Sequence, residues 1–185
     1  MGTVISGVVL AGGESLRMGV DKAEIVLNDD VTMLDHVVTT LSAVCEEIVV
    51  VGGKRNRSDA RCVEDAFPGE GPLGGLVTGM AEARGDIVLA LACDLPGLTT
   101  TAPEALCVAL SQTNADFAVP LARGRRQWLC SAWKRRAGDV LSERFRAGER
   151  SIRWAVGGLS ETAILLADDA PLTDADTLEA LEALL

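Results

Sequence analysis

The residues with most chemical potential stand between positions 10 and 22, in the run Leu10-Ala11-Gly12-Gly13-Glu14-Ser15-Leu16-Arg17-Met18-Gly19-Val20-Asp21-Lys22. Glycines let backbone N–H groups approach an anion closely. Arg17 and Lys22 add two positive charges to the same loop, the combination that a polyphosphate needs. No Gly-Lys-Ser/Thr follows the glycines, so the run is not a Walker A loop, and it lacks the dinucleotide fingerprint G-x-G-x-x-G. Spacing alone leaves two readings, a phosphate cradle or a glycine-rich turn with two solvated cations. A second chemical position is Asp94, within Cys93-Asp94-Leu95-Pro96. A carboxylate just beyond a buried strand either ligates a metal or caps the turn before Pro96, and the residues leave both open.

Composition removes other chemistries. His36 is the single histidine, so no two-histidine metal site or histidine relay exists. The five cysteines (Cys45, Cys62, Cys93, Cys107 and Cys130) form no C-x-x-C pair. Their odd number and the absence of a signal peptide predict reduced thiols and a cytoplasmic location. No apolar run reaches the roughly 18 residues of a membrane span. A formal net charge of −10 argues against coating nucleic acid, and 3% aromatic residues with no tyrosine argue against base stacking. The charge is unevenly placed. Between Arg123 and Arg153 there are ten Lys/Arg against three acids, Asp139, Glu143 and Glu149. Such a segment is a solvated helix face or a site for an anionic ligand or partner.

These positions must be held by a scaffold. With 185 residues, 48% of them hydrophobic, the chain is expected to form a single domain spanning 1–185. Short apolar runs alternate with helical patterns. Strands are expected at Val4–Leu10, Glu47–Val51, Arg61–Val63, Asp86–Ala92, Asp116–Pro120, Trp128–Trp133 and Thr162–Leu166. Helices are expected over Thr32–Val44, after Gly71-Pro72, from a Thr101-x-x-Glu104 capping box to Gln112, over Arg136–Ala147, and after Asp176. His36 falls on the polar side of its helix and is expected to face solvent. The pattern predicts an α/β fold, a Rossmann-like, mostly parallel sheet with helices on both faces. In such sheets ligands bind beyond the carboxyl ends of the strands, which directs attention to the loops after Leu10, Val51 and Ala92.

The run L-A-G-G-x-S-x-R-M-G-x-D-K resembles the signature of molybdenum cofactor guanylyltransferases, within the nucleotide-diphospho-sugar transferase-like superfamily. Three further blocks follow in the family's order: Asp65 with Gly71-Pro72-Leu73-Gly74-Gly75, then Cys93-Asp94-Leu95-Pro96, then Asp174-Ala175-Asp176-Thr177. The resemblance covers the chain from about Val4 to Leu184. It implies an enzyme that joins GMP from GTP to molybdopterin cofactor and releases pyrophosphate. It further implies that Leu10, Ala11, Gly12, Gly13 and Asp65 contact the nucleotide, and that Arg17 and Lys22 bind the triphosphate. Asp94 would ligate Mg²⁺, with Asp176 a possible second carboxylate. Arg123, Arg125, Arg126 and Arg150 could line the approach of the anionic pterin, or dock proteins that deliver or receive the cofactor. Gly12 in place of a second alanine leaves room for a purine.

The sequence departs from the family pattern in places. Gly52 stands where an asparagine often contacts the nucleotide, Trp128 follows Gln127 where proline is common, and Leu178 replaces a usual proline. The alternatives are a sister nucleotidyltransferase that uses CTP or another phosphorylated acceptor, and a nucleotide-binding regulatory domain without turnover.

Overall fold

The computed structural model describes residues 2–12, 21–28 and 30–173. Gly13, Arg17, Asp174, Asp176 and the expected last helix lie outside them. In chain order the elements are β1 (Ile5–Leu10), β2 (Val26–Asn28), β3 (Val31–Thr32), α1 (Met33–Ser42), β4 (Glu47–Val51), β5 (Arg61–Val63) and α2 (Pro72–Glu82). They continue with β6 (Ile87–Ala92), α3 (Thr101–Ser111), β7 (Phe117–Ala122), β8 (Arg125–Arg126), β9 (Cys130–Lys134), α4 (Ala137–Arg146), α5 (Ile152–Ala155) and β10 (Glu161–Leu165).

The main sheet runs β10-β7-β9-β6-β1-β4-β5, with β8 paired to β7. β1 is parallel to both β4 and β6, β4 to β5, and β7 to β10. β9 runs antiparallel between β6 and β7, and β8 is antiparallel to β7. The chain leaves β1 towards β4 on one side and returns to β6 on the other. That reversal opens a crevice at the carboxyl end of β1, the place where such sheets bind ligands.

Side chains alternate between two apolar layers. Val8, Leu10, Val49, Val51, Val88 and Ala90 pack with residues of α2 and α4, including Leu76, Met80, Leu141 and Phe145. Val9, Val50, Leu89 and Leu91 pack with residues of α1 and α3, including Leu34, Val38, Leu41, Leu106 and Leu110. Burial on both faces explains why the central strands read as nearly continuous apolar runs. Helix α2 carries Gly74, Gly75 and Gly79, each costing about 1 kcal/mol in a helix interior. It also buries Leu73, Leu76, Val77 and Met80, at about 1.5–3 kcal/mol each for large aliphatic side chains. Packing therefore outweighs propensity. Gly79 permits the close approach, since a Cβ there would come within 2.3 Å of Val8 Cγ1.

Two expectations are corrected. Helix α3 begins at Thr101, so its N-cap is Thr100, and no side-chain cap forms. The third helical position is then Pro103, which has no N–H to receive a cap. A capping box instead opens α1, where Thr32 Oγ1 accepts from Asp35 N at 3.1 Å and Asp35 Oδ2 accepts from Thr32 N at 3.0 Å. His36 does not simply face solvent. It is half-buried, with Nε2 2.9 Å from the Leu98 carbonyl oxygen. The short pair β2–β3, the hairpin strand β8 and helix α5 carry too few residues for periodicity to reveal them.

At the other end of the sheet, Asp116 accepts hydrogen bonds from the Ser160 backbone at 2.9 Å and hydroxyl at 2.7 Å, and from Arg136 Nε at 2.7 Å. The Ser160 backbone and hydroxyl bonds, with Arg136, hold its carboxyl down at about 2. A lowered folded-state value stabilises above the unfolded carboxylate pKa of about 4 and is lost as pH falls towards 2. Acid unfolding of Asp116→Asn should therefore be less steep between about pH 4 and pH 2 than that of the parent, with lower stability at pH 7. Circular dichroism across that window checks it.

Candidate active site

Strands β1, β4, β5 and β6 end at one rim, and a cleft of about 1130 Å³ opens there. Backbone bonds tie the exits together. Ala11 N donates to Val51 O at 2.9 Å, Gly52 N to Val63 O at 3.0 Å, and Cys93 N to Leu10 O at 3.2 Å. Gly12 and Gly52 cross in backbone contact. A Cβ on Gly52, whose φ is +101°, would lie 2.4 Å from Gly12 Cα and 2.5 Å from Gly12 N. The departure from asparagine at Gly52 thus has a steric reason, because only glycine fits this conformation and this approach.

Lys22 opens a single 3-10 turn, Lys22–Glu24. Asp21 caps it by accepting from Ala23 N at 3.0 Å, and Ala23 is buried. The turn aims Lys22 across the cleft, where Nζ meets Asp94 Oδ2 at 3.0 Å. The two side chains retain 19% and 20% exposure, so the pair sits in partial desolvation yet remains reachable. Asp94 leaves the end of β6 on a loop pinned by buried Leu95 and Leu98, and His36 holds the Leu98 carbonyl from α1.

Asp65 stands on the opposite wall. Its Oδ1 accepts from Phe67 N at 3.0 Å and from Thr78 Oγ1 at 2.9 Å, and so braces the turn into α2. Its Oδ2 lies near Gly75, 3.9 Å from where a Cβ would sit, and has no hydrogen bond among the described residues. One carboxylate oxygen is thus structural and the other is available to a ligand.

Among the described residues of the cleft, the one thiol is not a nucleophile in waiting. Burial pushes the Cys93 thiol up to about 12, so it stays protonated at neutral pH. Among the described residues no three His, Cys, Asp or Glu side chains gather as a metal cage. Mg²⁺ suits such a sparse donor set, because it keeps most positions for water and phosphate oxygens. The pairing of a lysine, Lys22, with a carboxylate, Asp94, at the end of a sheet fits electrostatic handling of anions rather than covalent catalysis.

Of the residues singled out from the sequence, the structure brings Leu10, Ala11, Gly12, Lys22, Asp65 and Asp94 to this cleft. It does not bring the four arginines there. Arg123 and Arg125 sit at the β7–β8 hairpin. Arg126 of the same hairpin makes a bidentate pair with Glu161, at 2.8–3.0 Å. Arg150 pairs with Glu70 at 2.5 Å and stacks 4.2 Å over Phe145. Arg125 is exposed and unpartnered among the described residues. The basic run is therefore partly neutralised in place. Trp128 is half-buried beside Phe117, with ring centroids 6.1 Å apart, and its neighbour Leu129 reaches the cleft. Sequence reasoning missed Lys54, Glu64 and Leu129 in the lining, and it missed Arg55 behind it. No period or motif marks these positions. Their signal was only their place beside strand ends, with Lys54, Arg55 and Glu64 after β4 and β5 and Leu129 just before β9.

Comparison with known proteins agrees with this geometry. Residues 7–159 match the MobA-like NTP transferase domain. A probable molybdenum cofactor guanylyltransferase of Mycobacterium tuberculosis is 33% identical over 186 residues, covering 97% of this chain and 92% of the relative. One from Mycobacterium marinum is 31% identical over 180 residues, covering 94% and 89%. Among solved structures, molybdopterin-guanine dinucleotide biosynthesis protein A from Archaeoglobus fulgidus superposes with a TM-score of 0.80 at 19% identity, covering 97% of this chain and 96% of that one. The last likeness concerns the fold, and it matches the mixed sheet described above. The signature loop, the cleft at the switch point and the extent of these matches together place the chain in the MobA-like NTP transferase family, as a nucleotidyltransferase.

Proposed function

We propose that the protein is a molybdenum cofactor guanylyltransferase, which transfers GMP from GTP to molybdopterin cofactor. A terminal phosphate oxygen of the pterin attacks the α-phosphorus of GTP. A new P–O–P link forms, the bond between the α-phosphorus and its bridging oxygen breaks, and pyrophosphate leaves with that oxygen. The observation that carries this reading is the meeting of Lys22 and Asp94 in the cleft, 72 positions apart in sequence.

Both reactants are anions, so alignment and charge neutralisation supply most of the catalysis. Lys22 draws the triphosphate to the mouth of β1, and Arg17 serves the same loop. The crossing of Gly12 and Gly52 offers backbone rather than side chain to the base. The Oδ2 atom of Asp65 accepts from a guanine N–H or a ribose hydroxyl. Asp94 would hold Mg²⁺, which when bound screens charge on the phosphates. The lysine now beside Asp94 marks a position where a cation is favoured. A cytoplasmic location belongs with the same reading, and no helix among the described residues is long and apolar enough to cross a membrane.

The direct test is pyrophosphate release from GTP with Mg²⁺ and molybdopterin cofactor, with CTP as control. Turnover with CTP alone would overturn the assignment of the base. No turnover with either, despite nucleotide binding, would favour the regulatory alternative.

The hairpin arginines yield a prediction on the acceptor side. Arg125→Glu should raise the KM for the pterin several-fold at low salt, and the effect should shrink as salt rises. GTP affinity should stay unchanged, because Arg125 is outside the nucleotide cleft. Arg126→Glu is a poorer probe, since it would set a carboxylate against Glu161. Steady-state kinetics at two ionic strengths, with calorimetry for GTP, checks this.

A further inference from the structure

Among the described residues Arg55 is the most deeply placed cation near the cleft, with a side chain only 8% exposed. Its guanidinium joins two segments that both line the cleft. One Nη donates to the Gly52 carbonyl at 2.6 Å. The other forms an ion pair with Asp21, the residue that caps the turn presenting Lys22. Its Nε faces Glu24 of the same turn at 3.4 Å, in an alignment that makes no hydrogen bond, and is buried.

We infer that Arg55 is a positioning residue for nucleotidyl transfer, a latch that fixes the Lys22 turn to the Gly52 crossing and so sets where Lys22 meets the triphosphate. This inference rests on the nucleotidyltransferase reading of the cleft. Burying a guanidinium costs desolvation that a well-packed apolar side chain would avoid. A stability role alone therefore explains Arg55 poorly. The planar fork, however, binds two acceptors in fixed directions, which a lysine ammonium does not reproduce. Both acceptors stand on walls of the cleft, the Gly52 carbonyl behind Gly12 and the Asp21 carboxylate beside Lys22. Arg57, two residues on, makes a useful contrast. It binds Asp35 at 2.6 Å and Asp59 at 2.8 Å, and neither acid lines the cleft. Arg57 ties the same loop to α1 without touching the site.

The test compares Arg55→Met, Arg55→Lys, Asp21→Asn and Arg57→Met in the full chain. GTP affinity is read by calorimetry, kcat and KM by pyrophosphate release, and folding by thermal melting. Asparagine retains the capping acceptor at position 21, so Asp21→Asn removes the charged arm alone and remains informative if Arg55→Met fails to fold. The expected result is about a tenfold or greater rise in Kd for GTP in Arg55→Met, as a displaced binding group produces. Arg55→Lys should give only partial rescue. The double variant with Asp21→Asn should bind no worse than Arg55→Met, the mark of one shared interaction. Arg57→Met should lower the melting temperature without changing GTP affinity.

Parental GTP affinity in folded Arg55→Met, or an equal loss in Arg57→Met, would overturn the latch while leaving the nucleotidyltransferase reading in place. If the parent prefers CTP and the same variants weaken CTP, the latch stands and the guanylyl assignment falls. If the parent binds no nucleoside triphosphate, both fall.

Discussion

Asp94→Asn is expected to reduce GTP-dependent pyrophosphate release at least about 10²-fold, the scale of removing one preorganised charge from a transfer site. Asparagine keeps the size of the side chain and can still accept from Lys22. What it loses is the negative charge at the end of β6, and with it the ligand proposed above for a divalent ion that would screen the triphosphate. Folding should be little affected. The Lys22–Asp94 pair retains about a fifth of its exposure on each side, and the asparagine oxygen still offers the ammonium an acceptor, so no polar group is stranded without a partner. Parallel assays of turnover, of Mg²⁺ dependence and of melting temperature separate the two effects. A folded Asp94→Asn protein that turns over at the parental rate would remove this carboxylate from the mechanism.

Gly52→Ala is expected to produce the largest effect of any single methyl at the cleft. The added Cβ would meet Gly12 Cα at 2.4 Å and Gly12 N at 2.5 Å, and neither is the movable end of a side chain. The φ of +101° adds strain for any L side chain. Sparsely allowed backbone costs about 1–3 kcal/mol and an overpacked methyl about 1–3 kcal/mol more. A destabilisation of roughly 2–5 kcal/mol should result, measurable by urea unfolding, together with weakened nucleotide binding as the two loops part. The reverse substitution is gentler, because a Cβ on Gly12 would sit 3.3 Å from Gly52 Cα. The crossing gives Gly12 a structural role beside the room it leaves for a purine. Equal losses of GTP and CTP affinity in Gly12→Ala would assign this glycine to the crossing, whereas a larger loss for GTP would assign it to the base.

The order of elements was legible because strands buried on both faces and amphipathic helices leave strong periods in the chain. The runs ending at Leu10, Val51 and Ala92 were placed to within a residue for that reason. The glycine-rich loop and Asp94 were legible as separate motifs, each held in a few consecutive positions. Their meeting was a matter of topology. Parallel strands bring β1 and β6 side by side, so that Leu10 pairs with Ala92 and Lys22 reaches Asp94.

Other features left no local trace. Gly52 looked like a lost contact, and only the crossing with Gly12 shows a steric demand. The basic run looked like one surface. The fold instead divides it, pairing Arg126 with Glu161 of β10 and Arg150 with Glu70 beside α2. Those acids stand 35 and 80 positions away from their partners, beyond the reach of any helical or strand period. Arg55 sits in an unremarkable charged stretch, Lys54-Arg55-Asn56-Arg57. Burial and the directions of its hydrogen bonds distinguish it, and both are properties of the packed chain. Sequence thus determined which chemistry the protein carries and which strands present it, since those depend on residue type and short spacing. Tertiary structure decided which charges are free to meet a ligand, because that depends on partners brought together only when the sheet and its helices assemble.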